Sequence, residues 1–167
     1  MSEAHFVSQH LQSDHNLDSF DSGQPALDEW LRRSSLHAES IRSGRTWVWT
    51  EAGAVVAYFT LVGHVIEREV LPRQLGRGSP DRIPAVLIAR LALDRAHHGQ
   101  GLGGVLLADA SSRIVAATEI VAARFVIVDA IDDNAAHFYN HYGYQPLPDT
   151  RRLVRKLSDL AHDLGKS

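Results

Sequence analysis

Apolar side chains fill residues 85–93 (AVLIARLAL) at every position but Arg90. A run this short and continuous predicts a central strand buried on both faces. A second such run, 123–131 (ARFVIVDAI), predicts another buried strand. Between them, Leu102, Val105, Leu106 and Asp109 mark successive turns of a helix from Leu102 to about Thr118. Upstream, Thr46 to Thr50 and Ala54 to Ile66 are rich in β-branched and aromatic residues and flank Glu51-Ala52-Gly53, which predicts a hairpin. Before it, Leu27, Trp30, Leu31 and Leu36 form the stripe of an amphipathic helix. That helix starts near Pro25, after a turn at Ser22-Gly23-Gln24, and is closed by Gly44. Residues 5–11 (HFVSQHL) predict a first strand, and 71–84 (LPRQLGRGSPDRIP) a loop. Residues 132–144 (DDNAAHFYNHYGY) predict a short helix ended by Gly143, and the tail 150–167 a strand followed by a frayed amphipathic end. Strands and helices alternate without repeat or low-complexity break, so a single domain over 1–167 is expected.

Composition narrows the function classes. With 167 residues and 44% apolar content the chain can bury a core without staples. No stretch of eighteen apolar residues predicts a membrane span, and the N-terminus lacks the basic-then-apolar pattern of a secretory signal. Cysteine is absent, which excludes thiolate metal sites and disulfides and fits a cytoplasmic protein. Of the ten histidines, His137 and His141 have helical spacing but lack a third ligand, so no metal is expected. The net charge of −3 gives no global attraction to nucleic acid. Fifteen of the seventeen basic residues are arginine. A GC-rich genome is the main reading of that bias, although arginine also forks onto phosphate where lysine cannot.

Four glycines lie within six residues in 94–110 (DRAHHGQGLGGVLLADA), between the strand and the helix. Glycine is the costliest residue to order. A bare loop leading into a helix N-terminus, with its unpaired N–H groups and dipole, suits a pyrophosphate. The P-loop fails, because Gly103 is followed by Gly104-Val105 rather than Lys-Ser or Lys-Thr. The dinucleotide fingerprint fails too: Gly99, Gly101 and Gly104 match its spacing, but the acidic residue at the end of a second strand is missing.

The loop resembles the acyl-CoA loop of the GNAT acyltransferases, in which Gln or Arg precedes x-x-Gly-x-Gly or Ala. His98 stands at the Gln/Arg position, and Gly99, Gln100, Gly101, Leu102 and Gly103 follow. Downstream, Asn134, Phe138-Tyr139 and Gly143-Tyr144 stand where that family has Asn, Phe-Tyr and Gly-Phe. The resemblance extends to one group of the family, the GNAT toxins of bacterial toxin–antitoxin pairs. Residues 20–35 (FDSGQPALDEWLRRSS) are similar to their opening motif, with Ser22 in place of cysteine, and Arg90 before Leu91-Ala92 also matches. The resemblance implies a single α/β GNAT fold, with a mixed sheet of about six or seven strands flanked by about four helices. It places the CoA-binding core at about 84–145 and makes acetyl-CoA the cosubstrate. His98, Gly99, Gln100, Gly101, Leu102, Gly103, Gly104 and Asn134 would bind the cofactor, together with main-chain groups of Leu91, Ala92 and Leu93. Tyr139 would be the catalytic residue. An aminoacyl-tRNA would be the substrate, a ribbon-helix-helix antitoxin the partner, and a homodimer the assembly. Arg77 and Arg90 are candidate substrate contacts. The alternative within the family is acetylation of a small amine or antibiotic.

Acceptor chemistry is consistent with that implication. An amine must be neutral to attack a thioester. A lysine-type amine, with pKa of roughly 10.4, is neutral about once in a few thousand molecules at pH 7, whereas about a tenth of an α-amine is neutral. An α-amine therefore needs little help from a base, and no carboxylate pair is required to serve as one.

Overall fold

The computed structural model describes residues 6–165. Its strands are β1 (Gln9–His10), β2 (Arg45–Glu51), β3 (Ala54–Glu67), β4 (Arg82–Leu93), β5 (Phe125–Asp129), β6 (Gln145–Pro146) and β7 (Arg152–Lys156). Its helices are α1 (Pro25–Ser40), α2 (Arg73–Gly76), α3 (Leu102–Thr118), α4 (Asp133–His141) and α5 (Leu157–Gly165). The strands form one seven-stranded mixed sheet in the order β1-β2-β3-β4-β5-β7-β6. The described residues fall into two compact units, 6–61 with 90–110 and 62–89 with 111–165.

In the first unit, β2 and β3 pair antiparallel from Arg45↔Leu61 to Glu51↔Ala54. Ala52 (φ 51°) and Gly53 (φ 81°) both take the left-handed conformation, as a tight two-residue hairpin with the native strand twist requires. One face of this unit packs Leu31 of α1 with Phe20, Val48, Val55, Tyr58 and Ala92. The other packs Trp49, Ala57 and Phe59 with Leu106 and Ala110 of α3. Each large apolar side chain so buried contributes roughly 1.5–3 kcal/mol. Asp109, on the same α3 stripe, accepts hydrogen bonds from Trp49 Nε1 (2.8 Å) and the Ser8 hydroxyl (2.7 Å), so its burial is compensated. Pro25 begins α1, as expected. Ser22 is buried, and its hydroxyl donates to Asp28 (2.6 Å) in the first turn of that helix.

In the second unit, β5 is central. It pairs parallel with β4 from Ala85↔Phe125 to Ile88↔Val128 and antiparallel with β7. Its core is Ile66, Ile83, Ala85, Phe125, Ile127, Leu147 and Val154. β5 is buried at four of five positions, as its uninterrupted apolar run predicts.

Several boundaries differ from the sequence pattern. The first strand is only Gln9–His10; His5 lies outside the described residues. The expected loop at 71–84 holds the single helical turn α2, and β4 enters it as far back as Arg82. A loop-like composition concealed both, because Pro72 initiates a helical turn as readily as a coil. The tail forms an ordered helix, α5, with Leu157 and Leu160 buried, and β6 carried no periodic signal because it spans two residues. The α3 limits agree with the sequence pattern. No helix among the described residues is long and apolar enough to cross a membrane.

Candidate active site

Strand β4 leads into the glycine loop. Its pairing with β5 ends at Ile88↔Val128, yet the strand runs five residues further. Strand alternation sends Leu91 and Leu93 to one face, where both pack with Leu102 and Leu106 of α3. Ala92 faces the other side and packs with Leu31 and Tyr58. Main-chain groups of residues 91–93 thus sit on a strand whose side chains are anchored above and below.

Asp94 then turns the chain. Its carboxylate accepts from the Ala96 N–H (2.9 Å) and the Asp21 N–H (3.0 Å), capping a short 3-10 turn at Arg95–His97. His97 pairs with Glu51 (2.8 Å), which makes it a strut of the loop. His98 Nε2–H donates to the Leu93 carbonyl (2.7 Å) and closes the loop back on the strand. That bond leaves Nδ1 of a neutral ring as an acceptor only, so neutral His98 cannot donate to a phosphate. At this position His98 holds the loop's shape.

The four glycines divide into two pairs. Gly99 (φ 80°) and Gly101 (φ 75°) are left-handed, and no atom lies within 4 Å of where a Cβ would sit on either. Their bareness therefore faces open space, where a ligand can approach the main chain. Gly103 and Gly104 lie in the first turn of α3, where glycine costs about 1 kcal/mol relative to alanine. This turn carries the N–H groups that a helix leaves unpaired. Gln100 is exposed on the loop.

Helix α4 lies in the second unit. The Asp132 carboxylate caps it by accepting from the Ala135 N–H (2.8 Å), and Asn134 lies exposed on its first turn. Tyr139 is 8% exposed. Its ring meets Phe138 (centroids 5.2 Å apart) and Tyr144 (5.7 Å) edge to face. The turn after α4 is fixed by Gly143 (φ 94°), by the Tyr144 N–H donating to the Tyr139 carbonyl (3.0 Å) and by Asn140 Nδ2 donating to the Tyr144 carbonyl (3.0 Å). Burial pushes the Tyr139 phenol well above its ordinary range, and the Tyr144 side chain adds to the effect. Burial also raises Tyr144, to about 12, against the opposing Arg155 guanidinium. The Tyr144 hydroxyl is enclosed with no partner. Tyr142, by contrast, is exposed at 39%.

The arginines differ in their surroundings. Arg32 donates to the Phe20 carbonyl (3.0 Å) and Arg45 pairs with Glu39 (2.9 Å). Arg151 pairs with Asp133, Arg152 with Asp129 and Arg155 with Asp163. Arg77 lines a hollow of mixed charge together with Arg68, Arg73, Glu67, Glu69 and Asp81. Arg90 is half-buried, with its guanidinium carbon 3.8 Å from the Trp30 ring centroid. The contact between Trp30 and Arg90 escaped the sequence reading because nothing local links residues sixty positions apart. The capping role of Asp94 was also missed, although an aspartate two residues before an N–H it can accept is a common turn device. Among the described residues no group of three or more His, Cys, Asp or Glu side chains could hold a metal ion.

A strand edge, a bare loop and a helix start, all offering main-chain N–H groups, make a receptor for a long anionic carrier such as an acyl-coenzyme A, and the comparisons agree. The acetyltransferase (GNAT) domain model matches residues 42–146, and the chain belongs to that family. A tRNA-acetylating toxin from Mycobacterium tuberculosis (strain ATCC 25618 / H37Rv) is 37% identical over 152 residues, covering 90% of this chain and 91% of that protein. The structure of AtaT complexed with acetyl-methionyl-tRNAfMet matches with TM-score 0.87 at 27% identity, over 96% of this chain and 99% of that one. A tyrosine-to-phenylalanine variant of AtaT, bound to the C-terminus of the antitoxin AtaR and acetyl-CoA, matches with TM-score 0.82 at 26% identity, over 95% and 98% of the two chains. The open space at Gly99 and Gly101 fits coenzyme A as the cosubstrate.

Proposed function

We propose that this chain is a toxin that moves acetyl from acetyl-CoA to the α-amine of an aminoacyl-tRNA and so blocks translation, working in the cytoplasm as a homodimer. A ribbon-helix-helix antitoxin would silence it. The observation that carries the reading is the 37% identity, over nine-tenths of the chain, to a tRNA-acetylating toxin, joined to a loop bare of side chains at Gly99 and Gly101. The whole chain would act as one domain, with its CoA-binding core at 84–145. Acetyl-CoA supplies the activated thioester. The loop and the start of α3 would hold its diphosphate, with Asn134 as a further contact. Main-chain N–H groups at Leu91–Leu93 would steady the oxyanion that forms when the amine attacks, since fixed donors aimed at developing charge are the most effective device available.

Tyr139 would face the departing sulfur. A cysteine-like thiol has a pKa of roughly 8.5, well below an ordinary phenol near 10, and burial raises Tyr139 further. Complete proton transfer to the thiolate is therefore uphill. Tyr139 contributes a short hydrogen bond to the sulfur as charge builds, and the α-amine's own proton completes the balance. The test is incubation of the protein with acetyl-CoA and total charged tRNA, followed by mass spectrometry of the aminoacyl adenosines. N-acetylated aminoacyl adenosine is expected; acetylation of small amines alone contradicts the reading.

A further inference from the structure

Many arginines are engaged, while Arg33, Arg42, Arg73 and Arg77 are exposed to solvent. Arg45, Arg68, Arg95, Arg151, Arg152 and Arg155 all lie within salt-bridge distance of a carboxylate. Arg90 differs. It is half-buried, and burial holds its guanidinium below the usual range, with only the Tyr58 phenol opposing that shift. Among the described residues no carboxylate or carbonyl takes its N–H groups. The Trp30 ring lies 3.8 Å from its guanidinium and is itself stacked on Tyr58 at 6.1 Å.

Stacking occupies the flat face of a guanidinium and leaves its in-plane N–H donors at the rim, pre-set for a fork onto phosphate or carboxylate. A methionine or leucine would pack on Trp30 equally well without the cost of desolvating a charge. Retaining the charge without a counter-ion leaves it available to an anion from outside.

Alternation along β4 says which anion. Arg90 shares its strand face with Ala92, which packs with Leu31 of α1 and with Tyr58. Leu91 and Leu93 take the other face, with Leu102 and Leu106 of α3. The cofactor's diphosphate belongs to the start of α3, on that second face. The anion at Arg90 therefore arrives on the α1 face, from the acceptor.

We infer that Arg90, pre-stacked on Trp30, receives a backbone phosphate at the acceptor end of the RNA substrate. This deepens the proposed function and rests on its RNA substrate, but binding can be tested without chemistry. The probe is an uncharged RNA minihelix ending in CCA, titrated into wild type and Arg90→Met over a range of salt. Arg90→Met is expected to bind it about tenfold more weakly and to lower the salt slope by about one. Acetyl-CoA affinity and melting temperature should not change. Arg90→Lys keeps the charge but not the fork; it should retain the salt slope and lose affinity a few-fold, and it carries the test if Arg90→Met does not fold. In parallel, the KM for charged tRNA should rise in Arg90→Met while the KM for a phosphate-free aminoacyl ester stays put. Equal RNA affinity in wild type and the variants overturns the inference, as does an equal loss of acetyl-CoA binding. Acetylation of charged tRNA with unchanged KM in Arg90→Met would leave the proposed function standing without this contact. Arg90-dependent RNA binding without any tRNA acetylation would do the reverse, and absence of RNA binding in wild type would remove both.

Discussion

The glycine loop and the tyrosine helix do their work by opposite means. From Leu91 to Gly104 the useful groups are main-chain N–H, and side chains serve to keep clear or to brace. His98 ties the loop to Leu93, Asp94 caps the turn, and Gly99 and Gly101 leave open space. On α4, in the proposed mechanism, the main chain is a support and one phenol would carry the chemistry. Tyr139 is held by ring contacts with Phe138 and Tyr144, in surroundings that keep it protonated. Binding by backbone tolerates substitution except where bulk or φ matters; chemistry by one hydroxyl tolerates none at that atom.

The largest effect should come from removing that hydroxyl. Tyr139→Phe is expected to lower kcat about 10²–10⁴-fold, the usual range for a lost proton-transfer or leaving-group contact, with the KM for acetyl-CoA within about twofold of wild type. Steady-state kinetics decides this, and an active Tyr139→Phe would move the chemistry elsewhere. Next comes Gly101→Val. The position is left-handed, which costs a β-branched residue roughly 1–3 kcal/mol of strain, and its side chain would enter open space instead of the protein. The protein should fold, while the KM for acetyl-CoA rises at least tenfold and kcat at saturation recovers. His98→Ala should cost less, about 0.5–1.5 kcal/mol for a lost hydrogen bond, seen as a few-fold weaker hold on acetyl-CoA. If His98 were instead a direct phosphate ligand, its removal would lower the salt dependence of coenzyme binding.

The smallest effect concerns stability in the second unit. His64 is held below its ordinary value by partial burial and then by the Arg152 guanidinium, whose Nη1 donates to His64 Nε2 (3.2 Å). The unfolded chain protonates first, so stability is full above about pH 6.5 and declines as pH falls below it. The melting temperature should dip modestly between pH 7 and 5, and His64→Gln should flatten the dip. Asp129, held low chiefly by its hydrogen bond from Arg152, adds a second decline below the ordinary carboxylate value near 3.9.

The same contrast explains what the residues reveal in order. Elements defined by long periodic patterns were legible: α3 from Leu102, the hairpin around Gly53, and the buried strand β5. The glycine loop stood out by the spacing of its glycines, and Tyr139 was singled out by its place after Phe138 in a family pattern. Features set by distant partners were not. The Arg90–Trp30 stack joins residues far apart in the chain, and the place of Asp109 on an otherwise apolar stripe is explained by distant partners such as Trp49 and Ser8. Neither β6 nor α2 is long enough to show a period, so composition alone made that ground look like loop. His98 was expected to bind the cofactor from its place at the Gln/Arg position; its bond to the Leu93 carbonyl is a structural use that no spacing could disclose.

The claim on which the account rests is that main-chain groups at the loop bind acetyl-CoA independently of the phenol that uses it. Isothermal titration of acetyl-CoA into ligand-free wild type, Tyr139→Phe and Gly101→Val tests it in one experiment. Equal affinity in wild type and Tyr139→Phe, with Gly101→Val at least tenfold weaker, is the predicted result. Undiminished binding by Gly101→Val, or no heat with wild type, would contradict it.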